Sequence, residues 1–204
     1  IDPLRESIVM SLETCLGREQ NVFEQGPKHA DRIIISSPVL SNSKMQQLRD
    51  VEKEREGYGV VDIDLNYAEA EGLQAAIARI CEETAQAVRD GKTLIVLTDK
   101  NFREGFLPAN SALATGAVHH HLIKTGLRTD ANILVETGFA RDPHQFAVLL
   151  GFGATAVYPY LAYDVINDLV AKGELLGDPI HAQANFRKGI EKGLLKVLSK
   201  MGIS

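Results

Sequence analysis

Cysteine is nearly absent from this chain: its 204 residues carry only Cys15 and Cys81, with no CxxC pair. A zinc or iron–sulfur site built from the chain's own thiols is therefore not expected, and no other metal-ligand spacing stands out. Both cysteines sit in stretches that read as apolar helix, so two buried thiols of a reducing compartment are expected. Basic charge is also short. Lys and Arg number 22 against 27 Asp and Glu, giving a formal net charge of −5. No basic stripe interleaves with aromatics, so the clustered cations of a nucleic-acid groove are missing. No run of about 18 apolar residues offers a membrane span. Ile1–Glu6 lacks the charged start and apolar core of a secretory signal. The cytoplasm is the expected compartment. An initiator methionine is lacking too, and both ends, Ile1 and Ser204, read as cuts through a longer polypeptide.

What is present is an ordinary globular composition, 45% hydrophobic and 24% charged, in a length that suits one domain. Two parts differ in pattern. Residues 1–58 read as helical and irregular: a helix from Pro3 to Leu16 with Asp2 as its cap, polar loop to Asp31, a β-branched run Arg32–Ile35, and a polar helix near Ser43–Arg55 capped by Ser41 or Asn42. Residues 59–204 alternate strand and helix. Strands are expected at Val60–Leu65, Thr93–Leu97, Ala131–Glu136 and Ala154–Tyr158. Helices are expected at Ala68–Asp90, Ala109–Thr125, Asp142–Leu150, Tyr163–Ala171 and Asn185–Met201. Strands each followed by a helix predict parallel βα units, and Leu94–Leu97 has the continuous apolar run of a strand buried on both faces. Four or five such units are too few to close an eight-stranded barrel. An incomplete (βα) barrel, or an open sheet derived from one, is the expected α/β fold.

No GxGxxG opens a helix after a strand, so a dinucleotide site is not supported. Gly151-Phe152-Gly153-Ala154 precedes a strand and reads as a helix stop, because a phosphate loop must precede a helix. In parallel βα architectures functional groups gather at strand C-termini. Those positions hold Asp62, Asp64, Thr98, Asp99, Glu136, Thr137 and Tyr158. Joined by a histidine from His119–His121, they could form a pocket with Asp99 or Glu136 as acid–base group, the signature of an independent enzyme. The plainer reading is that they cap helices, bridge loops or face a neighbouring domain. Consecutive helical residues point about 100° apart, so His119, His120 and His121 cannot all ligate one metal. His144 falls in a first helical turn and reads as a loop contact.

Longer blocks carry a resemblance. Ile1-Asp2-Pro3-Leu4-Arg5-Glu6, Met10–Thr14, Ser37–Leu40, Ala114–Leu122, Leu127-Arg128 through Val135–Thr137, Phe146–Ala154, Tyr158–Tyr163 and Gly193–Ser204 together resemble the central domain of glutamate synthase large subunits. Arg18–Phe23 resembles the bacterial, NADPH-dependent type.

The resemblance implies a central domain, residues 1–204, lying between a glutamine amidotransferase domain and an FMN-binding (βα)₈ domain. Its fold is implied to be a rudimentary relative of that TIM barrel. The parent would make glutamate from glutamine and 2-oxoglutarate, passing ammonia through a tunnel and electrons through FMN and an iron–sulfur cluster, with a small subunit as further partner. No N-terminal nucleophilic cysteine, cysteine cluster or FMN phosphate loop is found here. No catalytic, cofactor-binding or metal residue is carried over, and the piece is expected to be inactive alone. Arg5, Glu6, His119, His120 and His121 are the expected domain-junction or tunnel-wall residues.

Overall fold

The computed structural model describes residues 6–203. The expected Asp2 cap and Arg5 lie outside the described residues. Among the described residues helix α1 covers Glu6–Val9, and the expected continuation to Leu16 does not form. Thr14–Leu16 is instead strand β1, antiparallel to β2, Ile33–Ile35, with Thr14 opposite Ile35. The period-two alternation explains the difference: Leu16 buries completely among Ile35, Leu40 and Met45, while its neighbour Cys15 turns outward. The expectation of two buried thiols is thereby corrected, since Cys81 is buried and Cys15 is exposed.

Helix α2, Asn42–Asp50, starts at Ser41, whose side chain accepts from the Lys44 amide. A 3₁₀ turn, Val51–Lys53, leads towards β3, Gly59–Asp64. The next helix, α3 (Leu73–Arg89), begins later than its pattern predicts. Asn66–Ala68 forms strand β4, which pairs antiparallel with a strand in the loop after β5, Lys92–Thr98. That partner is β6, Phe106–Pro108. Then come α4 (Ser111–Lys124), β7 (Asn132–Glu136), α5 (Pro143–Gly151), β8 (Ala156–Tyr158), α6 (Tyr160–Ala171) and α7 (Pro179–Met201). Asp178 caps α7 by accepting from the His181 amide, with proline just inside the helix, so α7 starts before the apolar stripe that predicts it.

The main sheet has the order β3-β5-β7-β8, all parallel. Residues of α3, α4 and α5 share one core, so these three helices lie on one face of the sheet, as consecutive parallel strands with crossovers of one hand require. Side-chain alternation then divides the strands between two cores. Ile95, Leu97, Ile133, Val135 and Val157 lie under those helices with Ile80, Val118, Phe146 and Leu194. Leu94, Val96, Leu134 and Ala156 face the other way, onto Leu16, Leu40, Met45 and Leu48. Each of the valine, leucine, isoleucine and phenylalanine side chains contributes about 2 kcal/mol of transfer free energy when fully buried. The N-terminal part is thus the second cover of the sheet. Past β8 the sheet gains one parallel bridge, Val39 to Val157, in which the Leu40 amide donates to the Val157 carbonyl at 2.9 Å. The architecture is mixed α/β around a four-stranded parallel sheet. No helix among the described residues is long and apolar enough to cross a membrane.

Candidate functional site

The C-terminal strand ends carry the expected acids, and α2 delivers a cation over them. Met45 and Leu48 bury the inner face of α2, which places Arg49 at the rim of the sheet. Its Nη1 donates to both oxygens of Asp62, at 2.5 and 2.6 Å, and its Nη2 donates to Glu136 Oε2 at 3.0 Å. The Thr98 hydroxyl donates to the same Glu136 oxygen at 2.6 Å. Glu136 is buried, and these two donors satisfy its Oε2 away from water.

Asp99 is fully buried one strand position further on. It accepts from the Thr137 hydroxyl at 2.5 Å and from the Gly138 amide at 3.0 Å. Burial pushes its carboxyl above the usual carboxylate range, with those donors acting in the opposite sense. The Tyr160 hydroxyl is buried without an aligned hydrogen-bond partner among the described residues, and burial followed by the negative charge of Asp99 pushes it up. Asp64 accepts from the Asn66 amide at 2.9 Å and from Arg103 at 2.9 Å. Burial raises Asp64, but these bonds outweigh it and hold the carboxyl below its ordinary value. Tyr158 donates to Asn42 Oδ1 at 2.7 Å. The strand-end acids are therefore engaged with one another's loops and with α2.

The histidines do not join them. His119 Nδ1 accepts from Arg128 Nε at 2.9 Å, and Arg128 also donates to the carbonyls of Ala131 and Gly153 at 2.7 and 3.0 Å. Both carbonyls precede strands, so His119 belongs to the opposite edge of the sheet from Asp99 and Glu136. Burial, then the Arg128 charge, lowers His119 below the ordinary histidine value. His121 Nε2 lies 3.5 Å from Glu82 on α3, and His120 is exposed. The conceived pairing of a histidine with Asp99 or Glu136 is thus not made. Glu6 is buried and accepts from Lys196 Nζ at 3.1 Å, which ties α1 to α7. Its own backbone amide, then Lys196, holds its carboxyl below the usual range. His144 lines a cavity of about 230 Å³ with Asn110, Ser111, Phe139 and Gln145. The helix stop expected at Gly151–Ala154 is found, the Phe152 amide donating to the Val148 carbonyl at 2.9 Å.

Arg49 was not legible as a site residue. It sits in a polar helix without a motif, and the one available signal is its adjacency to Leu48 and its spacing from Met45, which fix the buried side of α2.

Fold and site define a parallel βα domain whose strand-end acids are held by an arginine from its own N-terminal cover. Residues 1–204 match the family model for the glutamate synthase central domain. The chain belongs to that family. It is 40% identical over 208 residues to a glutamate synthase (NADPH) large chain of Azospirillum brasilense, covering 100% of this chain and 14% of the relative. A chloroplastic ferredoxin-dependent glutamate synthase of Oryza sativa subsp. japonica is 40% identical over 218 residues, again 100% of this chain and 13% of the relative. A glutamate synthase (NADH) of Saccharomyces cerevisiae is 35% identical over 222 residues, 100% of this chain and 10% of the relative. The chain thus spans 10–14% of the length of these relatives. Among solved structures, a flavocytochrome b2 mutant with benzoylformate superimposes with a TM-score of 0.49 at 15% identity, over 79% of this chain and 36% of that chain, too weak a likeness to establish a shared fold.

Proposed function

We propose that this chain is a noncatalytic scaffold domain of a glutamate synthase large subunit. In this reading it fixes the amidotransferase and FMN-binding domains relative to each other and walls part of the route by which ammonia passes between them. Its sheet is an abbreviated (βα) barrel, a reading supported by consecutive parallel strands with α3, α4 and α5 on a single face. FMN and the iron–sulfur cluster belong to the rest of the parent, and the small subunit is a further partner. The compartment is the cytoplasm. The bacterial, NADPH-dependent type is favoured by the Arg18–Phe23 block.

The observation that carries the noncatalytic reading is Arg49. In βα proteins the strand C-termini hold the reacting groups. Here that place is filled by a guanidinium bound to Asp62 and Glu136, with Asp99 sealed behind Thr137 and Gly138. A sealed ammonia path matters physically because water would protonate ammonia and let it diffuse away. Titrating the purified chain with FMN while following flavin fluorescence, beside a glutaminase assay, tests the proposal. The expected result is no saturable binding and no ammonia release. Saturable flavin binding would mean that the abbreviated barrel keeps a working phosphate site, and the scaffold reading would be abandoned.

A further inference from the structure

Between the β1–β2 ribbon and the N-terminal edge of the parallel sheet lies a cavity of about 350 Å³. Its walls bring together Arg32, Arg128, His119, Asn132 and Cys15, with Glu19 as the one acid among the lining residues. Among the described residues neither Arg32 nor Arg128 makes an ion pair within 4 Å. The bonds they do make go to neutral acceptors. Arg32 Nη1 donates to the Gly17 carbonyl at 3.0 Å, the carbonyl that also accepts from Asn132 Nδ2 at 3.1 Å. Arg128 spends Nε on His119 and one proton of each η nitrogen on the carbonyls of Ala131 and Gly153. Both guanidiniums keep unspent N–H donors.

A guanidinium partly taken from water with only neutral acceptors beside it keeps an uncompensated charge that an anion would offset. Burial lowers Arg128 from its ordinary value, and Glu19 acts against that only from a distance. Because His119 Nδ1 accepts from Arg128, the imidazole is neutral with its proton on Nε2, one more donor at the same wall. Two arginines and an imidazole N–H around a solvent-open cleft of small-molecule size are the donor set of an anion pocket. We propose that this cavity binds a small oxyanion, a phosphate or carboxylate group held by Arg32 and Arg128. The site is separate from the strand-end network and does not depend on the scaffold reading.

Cys15 supplies a reporter inside the cavity, and the buried Cys81 does not compete with it. Alkylation of Cys15 by uncharged iodoacetamide is followed on its peptide by mass spectrometry, in the 204-residue chain and in any longer polypeptide that carries it. Inorganic phosphate and succinate are each compared with sodium chloride at equal ionic strength. The expected result is that one or both protect Cys15, slowing alkylation about tenfold at ten times the Kd, with the better protector identifying the head group. Arg32→Gln removes the protection, while circular dichroism shows the fold retained. Isothermal titration of the unaltered chain with the same two anions gives the same order, whatever that variant does to the fold. Equal alkylation rates in phosphate, succinate and chloride would overturn the proposal, as would full protection persisting in a folded Arg32→Gln chain.

Discussion

Arg49 and Glu136 meet at 3.0 Å across 87 residues of sequence, joining the N-terminal cover to the third strand of the parallel sheet. Glu136 is buried, whereas the Arg49 side chain keeps 26% of its exposure, so the carboxylate is the partner that suffers when the pair is broken. Arg49→Ala is expected to destabilise the chain by about 2 kcal/mol, less than the ~3–5 kcal/mol of a fully buried pair because Arg49 remains partly hydrated. Urea unfolding of Arg49→Met, Glu136→Gln and the double variant gives the coupling. It should be about 1 kcal/mol, and strictly additive effects would show that the contact holds nothing together.

Two glycines four residues apart on α7 should respond to alanine with opposite signs. A Cβ on Gly189 meets nothing within 4 Å, so Gly189→Ala gains helix propensity of about 0.5–1 kcal/mol. At Gly193 a Cβ falls 2.4 Å from Pro143 Cβ on α5. The proline ring cannot rotate away, so overpacking of about 1–3 kcal/mol exceeds the propensity gain and Gly193→Ala is destabilising. Thermal melts of the two variants decide it; a raised Tm for Gly193→Ala would mean that α5 and α7 do not pack this closely.

His119 gives stability a pH dependence of defined sign. Its folded value lies below the ordinary 6.5, so the unfolded chain takes up the proton first. The contribution is present in full above 6.5 and is lost as pH falls through the folded value. Asp99, whose carboxyl is raised, works in the opposite sense: its contribution is complete below its ordinary 3.8 and is lost as pH rises through the folded value. Subtracting the urea-derived stability of His119→Gln from that of the unaltered chain isolates the histidine. The difference should shrink as pH falls below 6.5. A flat difference would show that neither burial nor Arg128 holds the ring neutral.

The junction reading makes its own demand on the full-length parent. His120 is exposed, so His120→Ala should leave the melting of the domain within about 0.5 kcal/mol of the original. In the parent, the same change should release ammonia from glutamine without matching glutamate synthesis. Glu6→Gln is the companion variant, with some loss of stability expected from its bond to Lys196. Unchanged stoichiometry between the two activities in both variants would remove these residues from the ammonia route.

Sequence alone determined the parallel βα series, its helix stops and the family. Local rules suffice there: Leu94–Leu97 declares a strand buried on both faces, Ser41 and Asp142 are cap-type residues, and long matching blocks need no coordinates. Tertiary structure decided what lies on the second face of the sheet and where the polar groups close. Thr14–Leu16 became a strand because Leu16 finds Ile35 and Leu40 across the chain, overriding a local pattern that reads as helix. The β4–β6 ribbon arises from pairing between two loops, which segments of three residues are too short to announce. Arg49 became the strand-end cation by reaching Glu136 across 87 residues, and His119 went to the opposite edge because its nearby partner Arg128 is anchored on the Gly153 carbonyl, 25 residues further on. Hydrophobic period and capping are written along the chain. The partner of a charge is settled only when the elements that carry both charges have packed.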